Sequence, residues 1–66
     1  MDLIACSHSR TKQEQITLIR AGNKYIIQYE NPKVSGKVFE SYVFEIAKSV
    51  FSELAKNIRG VKWKLN

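Results

Sequence analysis

Between Ile16 and Tyr29 apolar and polar residues alternate on either side of Gly22-Asn23, which predicts two antiparallel strands joined by a two-residue turn. A glycine in the first central position suits a type II′ turn, because that position needs a positive φ. Such a turn sets the register by itself: Ala21 opposite Lys24, then Arg20–Tyr25, Ile19–Ile26, Leu18–Ile27, Thr17–Gln28 and Ile16–Tyr29. Successive side chains leave a strand on opposite faces. One face therefore gathers Ile16, Leu18, Arg20, Tyr25, Ile27 and Tyr29 and is predicted to be the core face. The other gathers Thr17, Ala21, Lys24 and Gln28, yet carries the Ile19–Ile26 pair at its centre.

Downstream, "NPKVSGK" is rich in turn formers, and "KVFES" is predicted as a third strand returning antiparallel to the second. With Val38 turned inward, Lys37, Phe39 and Ser41 join Ile19 and Ile26 on the outer face. From Tyr42 to Arg59 the period changes. Steps of about 100° per residue place Val43, Phe44, Ile46, Ala47, Val50, Phe51, Leu54, Ala55 and Ile58 within one arc about 180° wide. This predicts an amphipathic helix over 43–59, with Ser41 as N-cap, Gly60 as C′ residue, and Glu45–Lys48 and Glu53–Lys56 as surface pairs. So wide an arc exceeds what one hairpin can cover. It calls for the N-terminal "LIAC", the C-terminal "VKWKL", in which Val61, Trp63 and Leu65 alternate with lysines, or a second copy of the chain.

The expected architecture is α+β: a small three-stranded antiparallel sheet in the order β-β-β-α, backed by one amphipathic C-terminal helix, with either terminus able to add a fourth short strand. A chain of 66 residues has room for one core, so 1–66 is read as a single domain. Within it, 1–15 is a partly flexible arm, 16–42 the strands, 43–59 the helix and 60–66 a tail. Cys6 is the one cysteine, which excludes an internal disulfide and fits a reducing compartment. No stretch approaches the roughly 20 apolar residues of a membrane span, and "MDLIACSHSR" is a poor secretion signal; the expected location is cytoplasmic.

Charge adds a direction. Eleven Lys and Arg against six Asp and Glu leave a net charge of +5, a field that favours polyanions, nucleic acid foremost. Chemistry adds little. Cys6 and His8 form a C-x-H pair, but a closed zinc site needs four ligands and the chain has no other Cys or His. In "SHSR" a serine adjoins a histidine in sequence only, with nothing to orient the imidazole. No phosphate-binding glycine loop, dinucleotide fingerprint or calcium loop is present. No catalysis, cofactor or metal is expected.

The expected function is that of a small basic binding module for nucleic acid. Its phosphate contacts are assigned to Arg10, Lys12, Lys24 and Lys37, with Lys62 and Lys64 forming a second patch around a Trp63 that is read as covering the helix arc. The alternative is a protein-binding regulator or inhibitor of phage or mobile-element type, using Ile19, Ile26 and Phe39 or a free sheet edge. A homodimer through the wide helix face is a further expectation. In element order the chain resembles the arm-binding domain of phage-type integrases, a three-stranded sheet backed by one helix, and in size and layout it is similar to short phage-encoded inhibitors of host enzymes. Both likenesses are of layout, without a shared motif. The double-stranded RNA-binding domain also ends in strands and a helix, but "SYVFEIAKSVF" lacks that family's paired lysines and its first helix is missing here.

Overall fold

A computed structural model describes residues 2–9 and 13–56, together with the backbone of 62–63. Its elements are β1 (Asp2–Ser9), β2 (Glu14–Ala21), β3 (Lys24–Glu30), β4 (Ser35–Ser41), α1 (Phe44–Ala55) and the two-residue β5 (Lys62–Trp63). All strands join one antiparallel sheet in the order β4-β3-β2-β1-β5, with α1 packed on one face. The fold is thus α+β, as the residue pattern implies, but the sheet is wider than three strands. Residues 2–9, expected as part of an arm, form a full strand, and β1 lies between β2 and β5 instead of at an edge. Pairing with β1 satisfies the backbone donors and acceptors along the edge of β2 that β3 leaves open.

The hairpin forms as its turn dictates. Gly22 has φ +65° while Asn23 is not in the left-handed region, the signature of a type II′ turn. Every pair from Ala21–Lys24 to Ile16–Tyr29 then follows in register. Ile16, Leu18 and Ile27 are buried with Ala5, Ala47, Phe51 and Ala55, and Tyr25, Tyr29, Ile4, Phe44 and Val50 pack around them. Tyr25 meets Phe44 with ring centroids 5.3 Å apart.

The flanking strands each contain one extra residue. In β1 the pairing with β2 shifts between Leu3 and Ala5, so Ile4 is the extra residue; beyond it Ala5 and Ser7 lie opposite Leu18 and Ile16, on the helix side. In β4 the pairing with β3 shifts so that Ile27 faces Phe39 while Gln28 faces Lys37, leaving Val38 between them. The turn before β4 is closed by Asn31, whose Oδ1 accepts hydrogen bonds from the amides of Lys33 (2.8 Å) and Val34 (2.7 Å).

The helix is shorter than its sequence arc. Val43 is the N-cap, and no side chain caps the first turn. Ser41, expected in that role, sits two residues too early; its Oγ accepts from the Val43 amide at 3.0 Å and shapes the β4–α1 corner. Glu53 and Lys56 pair at 3.0 Å as expected, whereas Glu45 and Lys48 make no ion pair. The expected extension to Arg59 and the cap at Gly60 lie outside the described residues. No helix among the described residues is long and apolar enough to cross a membrane.

Candidate binding surfaces

With α1 on one side, the opposite face of the sheet is built by register alone. Leu3, Ile19, Ile26 and Glu40 stand in one row across β1 to β4, and Cys6, Thr17, Gln28 and Lys37 in the next. Ile19 is only 8% exposed, and Ile26 is half-buried beside it. The two isoleucines therefore shield one another along with Leu3, which is 41% exposed. The patch is low and apolar, continued through β1 by a residue that the sequence placed in an arm.

Phe39 does not belong to that patch. The extra residue Val38 re-phases β4, turns Phe39 towards Ile27 and packs it against the core. A half-buried aromatic gains far more beneath the helix than on an open face, so burial drives the bulge. The expectation that Val38 points inward is reversed as well, since Val38 is 53% exposed.

The same shift brings Glu40 to the open face, where it lies 3.3 Å from Lys24 and 3.2 Å from Lys37. Hydrogen bonding to Lys37, then to Lys24, holds the Glu40 carboxyl below the usual carboxylate range. The Lys24 ammonium also lies 5.9 Å from the ring centroid of Tyr42. Two of the six expected phosphate-binding residues are thus brought together, but around a carboxylate that neutralises one of them. The signal for Glu40 was present in "KVFES", yet its face depends on the bulge, which no local pattern announces.

Of the other expected contacts, Arg10, Lys12 and Lys64 lie outside the described residues, as does the side chain of Lys62; its backbone pairs with Cys6, and that of Trp63 with Ala5. Where charge resides is nevertheless readable. The described side chains include six Lys and Arg (Arg20, Lys24, Lys33, Lys37, Lys48, Lys56) and all six acids (Asp2, Glu14, Glu30, Glu40, Glu45, Glu53). In the sequence, the short segments 10–12 and 59–64 hold five cations, Arg10, Lys12, Arg59, Lys62 and Lys64, and no acid. Arg20 is itself matched by Asp2 at 2.8 Å.

On the helix side, the Tyr29 hydroxyl donates to Glu14 Oε2 at 2.8 Å and accepts from Asn31 Nδ2 at 2.9 Å. Its bond to the Glu14 carboxylate raises the phenol above its ordinary value. This trio ties the end of the hairpin to the Asn31 turn. Among the described residues no group of three His, Cys, Asp or Glu side chains is placed to hold a metal ion. Cys6 and His8 share the open face of β1, one opposite Thr17 and the other opposite Gln15. Among the described residues the outer edge of β4 has no partner strand, and it carries two features that discourage further pairing, the bulge and Lys37.

No family model matches the chain, and no curated protein or solved structure shows significant similarity to it.

Proposed function

We propose that this chain is a non-catalytic binding module for nucleic acid whose phosphate contacts come from residues 10–12 and 59–64, not from the open sheet face. The observation that carries this reading is the grouping of charge along the chain: segments 10–12 and 59–64 hold five cations and no acid, whereas Lys24 and Lys37 share Glu40. Arg10 follows directly on Ser9, the last residue of β1, and Lys62 pairs with Cys6, three residues or about 10 Å further back along the same strand. Like charges close together in the chain add their potentials, which favours a polyanion. Lys24 and Lys37, by contrast, are held by Glu40.

The test is titration of the chain against duplex DNA, single-stranded DNA and RNA at about 50 and about 200 mM salt. Four or so phosphate contacts weaken affinity about a hundredfold over that range, since each released counterion contributes to the slope. Replacing Arg10 and Lys12, or Lys62 and Lys64, by alanine lowers the salt slope by about two in each case. Absence of binding to all three at the lower salt sinks the reading.

A second reading, a protein-binding regulator, is supported by the Leu3–Ile19–Ile26 row on the open face. Its partner would meet an apolar strip bordered by Lys24, Glu40 and Lys37. Ile26→Glu abolishes that binding while leaving nucleic-acid affinity unchanged, which separates the two readings.

A further inference from the structure

The hydrogen bonds that run from Glu14 through Tyr29 to Asn31 have a polarity, and both ends of the chain agree on it. Glu14 shares the helix side of β2 with Ile16, and Tyr29, opposite Ile16 on β3, reaches diagonally across to it. The Tyr29 ring packs against the buried cluster, which fixes where its hydroxyl sits. An ionised carboxylate only accepts, so the phenol gives its proton to Glu14 Oε2 at 2.8 Å and keeps its lone pairs for Asn31. The Asn31 side chain accordingly turns its NH2 group to Tyr29, at 2.9 Å, and its Oδ1 the other way. There Oδ1 meets two groups that only donate, the backbone amides of Lys33 at 2.8 Å and Val34 at 2.7 Å.

Turned end for end, the Asn31 amide would fail on both sides. Its NH2 group would meet two N–H groups, and its Oδ1 would meet a phenol whose proton is already given to Glu14. Pro32 has no N–H, so Lys33 and Val34 supply the first amides of the turn that need an acceptor. The Asn31 backbone amide donates to the Val34 carbonyl at 2.8 Å and closes the same turn from the main-chain side. β4 begins at the next residue, Ser35, opposite Glu30.

We propose that these three side chains form a relay latch: Glu14, at the start of β2, holds the β3–β4 turn closed through a bond made to Tyr29 rather than to the turn itself. Glu14 selects the direction of the Tyr29 hydroxyl, Tyr29 selects the direction of the Asn31 amide, and Asn31 holds Lys33 and Val34. The two corners joined in this way are far apart in sequence and belong to different strand connections. The latch is independent of both binding readings, because it lies on the helix side of the sheet, away from Lys24, Glu40 and Lys37. What it governs is the entry to β4, the strand at one end of the sheet.

Amide exchange with water, read by NMR at several urea concentrations below the unfolding transition, tests this. Tyr29→Phe keeps the packed ring and removes the middle of the relay, while Glu14→Ala removes its far end and leaves the Tyr29 packing alone. Both variants keep the native far-ultraviolet spectrum. In both, the Lys33 and Val34 amides exchange about fivefold faster, the equivalent of one hydrogen bond. The gain does not change with urea, which marks a local opening, whereas exchange at Leu18 and Ile27 in the central ladder rises with it. Asn31→Ala speeds the same two amides at least as much, and adding Tyr29→Phe to it brings no further gain. Unchanged exchange at Lys33 and Val34 in either single variant of the relay overturns the proposal. So does a gain that grows with urea in step with Leu18 and Ile27, or one that adds to the effect of Asn31→Ala.

Discussion

Ile19 and Ile26 face one another across the β2–β3 ladder, on the side of the sheet away from α1, and yet only 8% of Ile19 is exposed. Leu3, opposite Ile19 on β1, completes the cover. Residues on an open sheet face are ordinarily cheap to replace. Here the two isoleucines should differ. Ile19→Ala is expected to lower unfolding free energy by about 2 kcal/mol, the low end for a buried isoleucine, because its open side lets the cavity relax. Ile26→Ala should lower it by about 1 kcal/mol. Urea denaturation of the two variants checks the order, and an equal loss would mean that Leu3 does not shield Ile19.

Phe39 distinguishes a core residue from a contact residue. It sits opposite Ile27 and packs against the buried cluster, so Phe39→Lys places an ammonium under the helix. The expected loss is about 3 kcal/mol or more. For a chain of this size, total stability is on the order of 3–10 kcal/mol, so much of the fold would be lost at room temperature. Circular dichroism decides the matter: a native spectrum with a native midpoint would return Phe39 to the surface.

Glu40 links stability to acid. Its folded-state carboxyl is held below the ordinary range by Lys37 and Lys24. A group whose folded pKa is depressed contributes stability at pH values above its unfolded pKa and loses it as the pH falls through the folded value. The wild type should therefore lose a small increment on acidification below the ordinary carboxylate range, and Glu40→Gln should lack that increment. The ion pairs are exposed, so salt should reduce the difference. Chemical denaturation at neutral and acid pH, at two salt concentrations, measures it.

Tyr29 acts at the opposite end of the pH scale. Its phenol is raised by the bond to Glu14, so the neutral hydroxyl is the form the fold stabilises. That contribution is complete below the unfolded phenol pKa and disappears as the pH rises through the folded one. Tyr29→Phe should be destabilising at neutral pH, because it removes the hydroxyl's bonds to Glu14 and Asn31, and should converge with the wild type in strong alkali. Thermal melts across the alkaline range would show the convergence.

Gln13 lies just before β2 at φ +55°, a left-handed conformation unfavourable for a side chain of its kind. Gln13→Gly relieves that strain while adding freedom to the unfolded chain. A net gain of about 0.5 kcal/mol is expected, visible as a rise in the denaturation midpoint.

The parts legible in the residue pattern are those fixed by short-range chemistry. Gly22-Asn23 determines the whole β2–β3 register because a two-residue turn admits one pairing, and all of it is present. Likewise, the apolar arc read for α1 contains the buried Ala47, Phe51 and Ala55, although Val43, Ile46 and Leu54 on the same arc are exposed. The flanking strands were harder to read. "LIAC" is too short to announce an eight-residue strand, since Ser7 and His8 look like loop residues until β2 supplies their partners. Phe39 was placed on the wrong face because its orientation depends on whether Val38 is counted in the ladder, and that choice is made by tertiary burial. The candidate charges suffered the same way. Lys24 and Lys37 look free in sequence and become a bridged pair only after Glu40 is turned to join them.

The extra residues Ile4 and Val38 stand on the two strands that flank the central hairpin, with β2 and β3 undisturbed between them. Each is a slack residue: without it Leu3 and Ala5, or Lys37 and Phe39, would be consecutive residues opposite consecutive partners, and every pair on either side would keep its face. A one-residue deletion, ordinarily ruinous within a sheet because it exchanges the two faces, thus has two places in this chain where it can be absorbed. The sheet carries its tolerance to shortening at Ile4 and Val38, on either side of a hairpin that has none.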